Sequence, residues 1–366
     1  MLICGASFAG LAVARELRGA GARVMVLDRY ELGERATSAC AAPTAWLQRL
    51  GLEDSVRQTF DELRVHTPWT DTRWPLPWSF STFDYRELCT LLWEQSGLPD
   101  DAFETAKVDG VTRAGGGADG RTGGRASAPN GAGAPHTVHT DRGELRAPLV
   151  VDGLGWRRVL ARGTPVQPPR AALTRGLEVH PHGSGGELEL WVDPRYAHAG
   201  YGWNFPAGGE LRVGVCSFRP TAHVKEPTVR LARELGLPAV RYQGNWIPHR
   251  LRPAVEDGVF FAGDSAGHCL PLTAEGIRTA LYFGLACGRE LRAVLAGHAT
   301  REQALQRYGE FSRGHERAYR WLWACQRAVC GPTSWSTTPA WALALRSRRF
   351  AAWLFERYLG IAPPPS

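Results

Sequence analysis

Gly5, Ser7 and Gly10 fall in the pattern Gly-x-Ser-x-x-Gly, just after the apolar run Leu2-Ile3-Cys4 and just before helical periodicity over Leu11 to Arg18. Glycine at the first and last positions allows a tight turn and close packing of helix on strand. The helix then offers unsatisfied N–H groups and the positive end of its dipole to a pyrophosphate. Ser7 replaces the middle glycine with another small residue. Arg23 to Asp28 reads as a second strand ending in a carboxylate, with Arg29 beside it. Asp28 is therefore placed to accept hydrogen bonds from a ribose hydroxyl. The bland alternative is an ordinary strand–helix turn followed by a strand-end acid.

A second constellation is more specific. Gly263-Asp264-Ser265-Ala266-Gly267 follows the apolar run Val259 to Ala262, and Pro271 and Glu275-Gly276-Ile277 come next. Asp264 could bond a ribityl or ribose hydroxyl, and Pro271 stiffens a loop able to lie along a flat ring. Gly276 and Ile277 open a helix whose N–H groups suit the negative charge that a reduced isoalloxazine carries near N1 and O2. Farther along, Tyr201, Trp203 and Phe205 recur at period two ahead of Pro206. On a strand they share one face and could wall a pocket for a long hydrocarbon, or pack the seam between a sheet and the cofactor domain. Cys40 could tune a flavin or be a small buried hydrophobe. His268, inside the second loop, could move a proton or be a structural hydrogen-bonding group. The other histidines show no metal-ligand spacing, and no metal is expected.

The chain has 366 residues, 44% hydrophobic and 22% charged, which excludes wholesale disorder. It holds no apolar run of about 18 residues and no charged segment ahead of an apolar stretch at its start, so neither a membrane span nor a secretory signal is expected. Eight cysteines without a C-x-x-C pair fit reduced thiols and a cytoplasmic protein. The net charge of +7 is spread along the chain among acids, and every basic residue except Lys107 and Lys225 is Arg. That pattern argues against a dedicated nucleic-acid site.

The elements that must position these residues are legible in outline. Helices are predicted over 44–60, 86–95, 228–235 and 275–295, with a largely helical remainder. Strands are predicted over 149–151, 173–179, 187–192, 201–205, 211–218 and 259–262. Residues 65–83 read as irregular or strand. The Gly/Ala-rich stretch 113–135 reads as a flexible loop between hairpin arms at 106–112 and 137–145. A basic, Trp-bearing segment over 339–359 suits either a helix on the core or contact with an anionic membrane surface.

Gly5 to Gly10, Asp28 and Gly263 to Ile277 together resemble the FAD-binding fold of the para-hydroxybenzoate hydroxylase superfamily. Val150 to Gly155 is similar to its strand-Asp-x-x-Gly segment, although Leu154 stands where the aromatic hydroxylases carry Asp. The likeness covers roughly residues 1–295 and aligns Arg86 with an arginine beside the FAD. Gly200 to Pro206 is similar to the Tyr-x-Trp-x-Phe-Pro segment of the geranylgeranyl reductase family, whose aromatics line an apolar pocket. Cys40-Ala41-Ala42 departs from that family's Cys-Gly-Gly stretch. The absence of Lys before Lys107 counts against halogenase chemistry, whereas lycopene cyclase relatives share the Val150 to Gly155 pattern.

The resemblance implies an α/β fold: a doubly wound, Rossmann-like FAD-binding domain (1–64, 84–165 and 248–295), a β-rich substrate domain (65–83 and 166–247) and a helical C-terminal cap (296–366). It implies FAD, with NAD(P)H or another external reductant, and an apolar small-molecule substrate. The leading activity is reduction of a C=C bond by hydride from flavin N5. The alternatives are a monooxygenase acting through a C4a-hydroperoxide and a non-redox cyclase or flavin-binding scaffold.

Overall fold

The computed structural model describes residues 1–36, 38–113, 134–163, 167–168, 170–330 and 347–365. Most of the predicted 113–135 loop, with Trp335 and Trp341, lies outside the described residues. The chain opens as predicted: β1 (Leu2–Cys4), α1 (Phe8–Glu16) and β2 (Met25–Asp28). Next come β3 (Ala41–Pro43), α2 (Thr44–Arg49), β4 (Val56–His66) and β5 (Asp71–Phe83). The helix predicted over 44–60 therefore stops at Arg49, because Gly51 takes φ 64° and the following segment alternates in burial as a half-buried strand does. Asp84 caps α3 (Tyr85–Ser96) by accepting the Glu87 N–H, and Gly97 ends it in the left-handed region.

The hairpin arms become β7 (Val108–Thr112) and β8 (His136–Thr140), with β6 (Phe103–Thr105) before them. The second predicted arm is split by a turn into β8 and β9 (Gly143–Ala147), and β10 (Val150–Asp152) follows. Then come β11 (Leu173–Val179), β12 (Leu188–Trp191), β13 (Gly200–Pro206), β14 (Leu211–Ser217), α4 (Lys225–Glu234), β15 (Gln243–Pro248), β16 (Val255–Glu256) and β17 (Val259–Phe261). Among the described residues, four helices follow: α5 (Ile277–Leu295), α6 (Arg301–Gly314), α7 (Glu316–Cys330) and α8 (Arg348–Leu359).

Two large sheets organise the molecule. The first has the order β16-β17-β10-β1-β2-β6, and all its pairs are parallel except β16–β17. Its inner strands β1, β10 and β17 are short and wholly buried, as strands covered on both faces are. They share one core with α1, α3, α5 and part of the small β7-β8-β9 sheet. The second sheet has eight strands in the order β15-β11-β14-β13-β12-β4-β5-β3. The chain thus enters the second sheet at β3 and β4, earlier than residue 65, where the substrate domain was drawn. Each of those strands finds its hydrogen-bonding partner there rather than in the parallel sheet. One face of the second sheet packs Val179, Val213 and Val215 against Leu231 and Ala232 of α4. The opposite face carries Tyr201, Trp203 and Phe205. None of the described helices is long and apolar enough to cross a membrane.

Candidate functional site

A cavity of about 640 Å³ opens where the two sheets meet. Ala6 to Ala9, Asp28 and Arg29, Gly153 to Arg157, Gly263 and Asp264, and Gly276 and Ile277 all line it, so the two distant sequence constellations converge on one space. The first strand–helix turn is held without tolerance: a Cβ on Gly10 would stand 1.8 Å from the Gly5 carbonyl oxygen. Ser7 is the N-cap of α1 but makes no capping bond; its Oγ accepts from the Tyr85 hydroxyl instead (3.2 Å). Gly276 likewise gives α5 no side-chain cap, whereas side chains of Asp84, Thr300 and Ser347 cap α3, α6 and α8. Two helix N-termini with unsatisfied N–H groups therefore meet one cavity, an arrangement suited to anions.

Asp28 accepts the N–H groups of Ala6 (2.8 Å) and Tyr30 (3.1 Å), one on each oxygen. A carboxylate accepts about four bonds, so capacity remains for ribose hydroxyls. Burial raises its pKa while these N–H groups pull it down. Asp264 borders the cavity and its carboxylate takes no hydrogen bond from any described residue; burial pushes it up to about 6, against the pull of Arg252. Asp152 is committed internally. It accepts from Ser265 Oγ (2.6 Å), Leu154 N (2.9 Å) and Leu160 N (2.8 Å), tying the Gly153–Gly155 turn to the Gly263 turn.

Several predicted residues lie behind the lining. Arg86 is exposed, and its Cα sits 2.7 Å from where a Cβ on Gly33 would stand; Gly33, not Arg86, borders the cavity. Pro271 is buried, with its carbonyl held by Gln326 Nε2. Tyr201, Trp203, Phe205 and Pro206 do not line the cavity. Trp203 lies across Gly214 toward Gly176, beside Ile247, and its indole N–H is held by Glu178 (3.1 Å). The Tyr201 hydroxyl binds the Thr273 carbonyl, so it steadies the loop before α5. Pro206 accepts the Thr82 hydroxyl at the end of its strand (2.7 Å).

His268 and Cys40 resolve toward their structural readings. His268 is fully buried, stacks on Phe283 (3.7 Å) and pairs with Ser312 Oγ (3.1 Å), away from the cavity. Burial holds its pKa well below the usual range, so it stays neutral. The Cys40 thiol is buried and pushed up to about 12, with Sγ donating to the Ser38 carbonyl.

Sequence reasoning missed a charged network beneath Trp203. His180 sits between Glu178 (3.0 Å) and Glu210 (3.1 Å), and Glu210 also pairs with Arg212. The Arg212 guanidinium donates to the carbonyls of Ala39, Cys40 and Phe83, fixing the segment in which Cys40 takes φ 51°. No spacing in the sequence links residues 40, 83, 178 and 212; only the second sheet does. Burial opposes the charge on His180, but the two carboxylates outweigh it and raise its pKa to about 9. A folded pKa above the unfolded value of about 6.5 means stability present below pH 6.5 and lost as pH rises through about 9. His180→Gln should flatten that decline, worth up to about 3 kcal/mol, in urea unfolding midpoints measured across the window. An unchanged slope would remove His180 from the network's energetics.

No family model matches the chain. A stretch of 111 residues is 31% identical to digeranylgeranylglycerophospholipid reductase 2 of Methanothermobacter thermautotrophicus, covering 29% of this chain and 28% of that one. The match therefore spans little more than a quarter of that relative's length. A geranylgeranyl bacteriochlorophyll reductase-like protein of Thermoplasma acidophilum has a TM-score of 0.75 at 15% identity, over 90% of this chain and 87% of that one. PqsL of Pseudomonas aeruginosa, described as a probable FAD-dependent monooxygenase, has a TM-score of 0.65 at 19% identity, over 97% and 98%. At these identities the likeness shows the fold, which reductase-like and monooxygenase flavoproteins share.

Proposed function

We propose that the chain is an FAD-dependent oxidoreductase that reduces a C=C bond of an apolar, isoprenoid-like or natural-product substrate. The reading is carried by the convergence of two uncapped helix N-termini, Asp28 and Asp264 on one cavity. The residues fit FAD: Gly5 and Gly10 bring α1 close enough for its N–H groups to hold a pyrophosphate, Asp28 takes the ribose, Asp264 the ribityl chain, and the start of α5 the ring's polar edge. When bound, the flavin supplies hydride from N5 of its reduced ring. The protein's part is to hold the ring against the second sheet, exclude water and align the substrate. Arg278 pairs with Glu275 (2.7 Å), so the acid just before α5 does not repel negative charge at that helix end.

An apolar stripe on the second sheet, whose side chains do not themselves line the cavity, favours a hydrocarbon substrate. Trp203 pairs across strands with Leu190, and Leu190 with Val65. Partly buried Phe205 and Trp74 continue the stripe, and Phe355 of α8 packs on Trp74. The same face carries the Glu178 carboxylate on the Trp203 indole, and this polar spot favours the second reading, a monooxygenase acting on a substrate with polar substituents. Exposed Trp321 and Trp353 on α7 and α8 support peripheral contact of a cytoplasmic protein with a lipid surface. The test is anaerobic incubation of the dithionite-reduced protein with a panel of polyprenyl substrates. Saturated product is expected. Unchanged substrate throughout, with substrate-dependent NAD(P)H consumption and oxygen uptake in air, would replace the reductase by the monooxygenase.

A further inference from the structure

Four of the side chains that line the cavity form a strip, two from the segment after β10 and two from the second sheet. Trp156 and Arg157 follow β10, while Arg175 and Trp246 stand opposite each other on β11 and the edge strand β15. The Arg157 guanidinium lies over the Trp156 ring (5.4 Å), the two indoles approach to 6.4 Å, and the Arg175 guanidinium lies over the Trp246 ring (5.3 Å). Neither arginine forms an ion pair or a hydrogen bond with a described side chain. Arg252 adds charge beside them by donating to the Trp156 carbonyl (2.7 Å). His249, bonded to Thr174 next to Arg175, is held down at about 4 by burial and then by Arg250 and Arg252.

We propose that this strip is an anion site for a phosphate ester carried by the substrate or by the electron donor, its two guanidinium planes gripping the phosphate and its two indoles the adjoining apolar or ring portion. The proposal rests on the flavin reading only in that FAD would be held by the α1 and α5 N-termini, Asp28 and Asp264, and leave this strip to a second ligand. Guanidiniums already stacked on indoles are partly ordered, so less side-chain entropy is lost when an anion binds.

The test compares the FAD-loaded wild type with the double variant R157Q/R175Q by isothermal titration at low and high salt. The probes are NADPH, dodecyl phosphate, inorganic pyrophosphate and, as an uncharged control, dodecanol. At low salt the double variant should bind at least one phosphate ester about tenfold more weakly, a loss of about 1.4 kcal/mol, and the difference should shrink at high salt. FAD and dodecanol affinities should not change, and R157K/R175K should recover part of the loss. Weakening for NADPH alone identifies the donor, and weakening for dodecyl phosphate alone identifies the substrate head group. Equal affinities in both proteins, or no binding of any phosphate ester by the wild type, overturn the proposal. So does release of FAD by the double variant, which would assign the arginines to the flavin instead. A wild type that takes up no FAD defeats the flavin reading separately, and the phosphate titrations on the same protein still decide the strip.

Discussion

Replacing Arg278 with methionine is expected to destabilise the protein by about 3–5 kcal/mol, because it strands the Glu275 carboxylate in a nearly closed site. The Arg278 side chain is fully buried and Glu275 is 10% exposed. The guanidinium donates to both Glu275 oxygens (2.7 and 2.9 Å) and to the carbonyls of Leu359 and Ala362 (2.8 Å each). The Tyr358 hydroxyl also reaches Glu275 and pairs with Thr273, and Trp46 Nε1 holds the Ala362 carbonyl from the other side (3.2 Å). One arginine thus ties the end of the chain to the loop that opens α5 on the cavity. Urea unfolding should show the loss, and the double variant E275Q/R278M should recover part of it, since removing both partners leaves no orphan charge. A loss below about 1 kcal/mol, or no recovery in the double variant, would mean that water reaches this cluster.

Gly10→Ala should abolish FAD binding and cost about 3 kcal/mol or more of apoprotein stability, at or beyond the usual range for overpacking. The added methyl group would meet a backbone oxygen at 1.8 Å, and no rotamer change relieves a backbone contact. Relief requires α1 to move off β1, taking the pyrophosphate-facing N–H groups with it. α1 is also trapped from behind, since a Cβ on Gly284 of α5 would meet the Ala9 carbonyl at 2.6 Å. Gly186→Ala is the matched control, because nothing lies within 4 Å of its Cβ position. A Gly10→Ala protein that unfolds like wild type and binds FAD would contradict the close packing at the first turn.

What the sequence carried well was local. The Gly5–Gly10 turn, the acid ending β2 and the Gly263–Ile277 loop each announce themselves by residue type and spacing, and the structure brings them to one cavity. Helices α3, α4 and α5 are bounded by their own periodicity and turn residues. Residues 44–60 failed because Trp46, Leu47, Leu50 and Val56 fit a helical stripe, while the strand character of 56–66 depends on β5 and β12 lying alongside. Tyr201, Trp203 and Phe205 share one strand face, as their spacing implies, but they do not line the cavity, to which Gly176, Asn245 and Ile247 contribute. Edge strand β15 is short and holds Gly and Pro, so it gave little signal of its own. Arg278 and Arg212 look in sequence like ordinary surface arginines. Their roles arise from carbonyls 81 and 172 residues away, which no local pattern encodes.

The most direct test of the central claim, that the α1 and α5 N-termini together hold one FAD, is a titration of the purified protein with FAD, read by the visible flavin band and by flavin fluorescence. Saturation is expected at one FAD per chain, with a perturbed band that Asp28→Ala weakens and Gly10→Ala abolishes. Free-flavin spectra at every ratio, or binding that neither substitution touches, would contradict it.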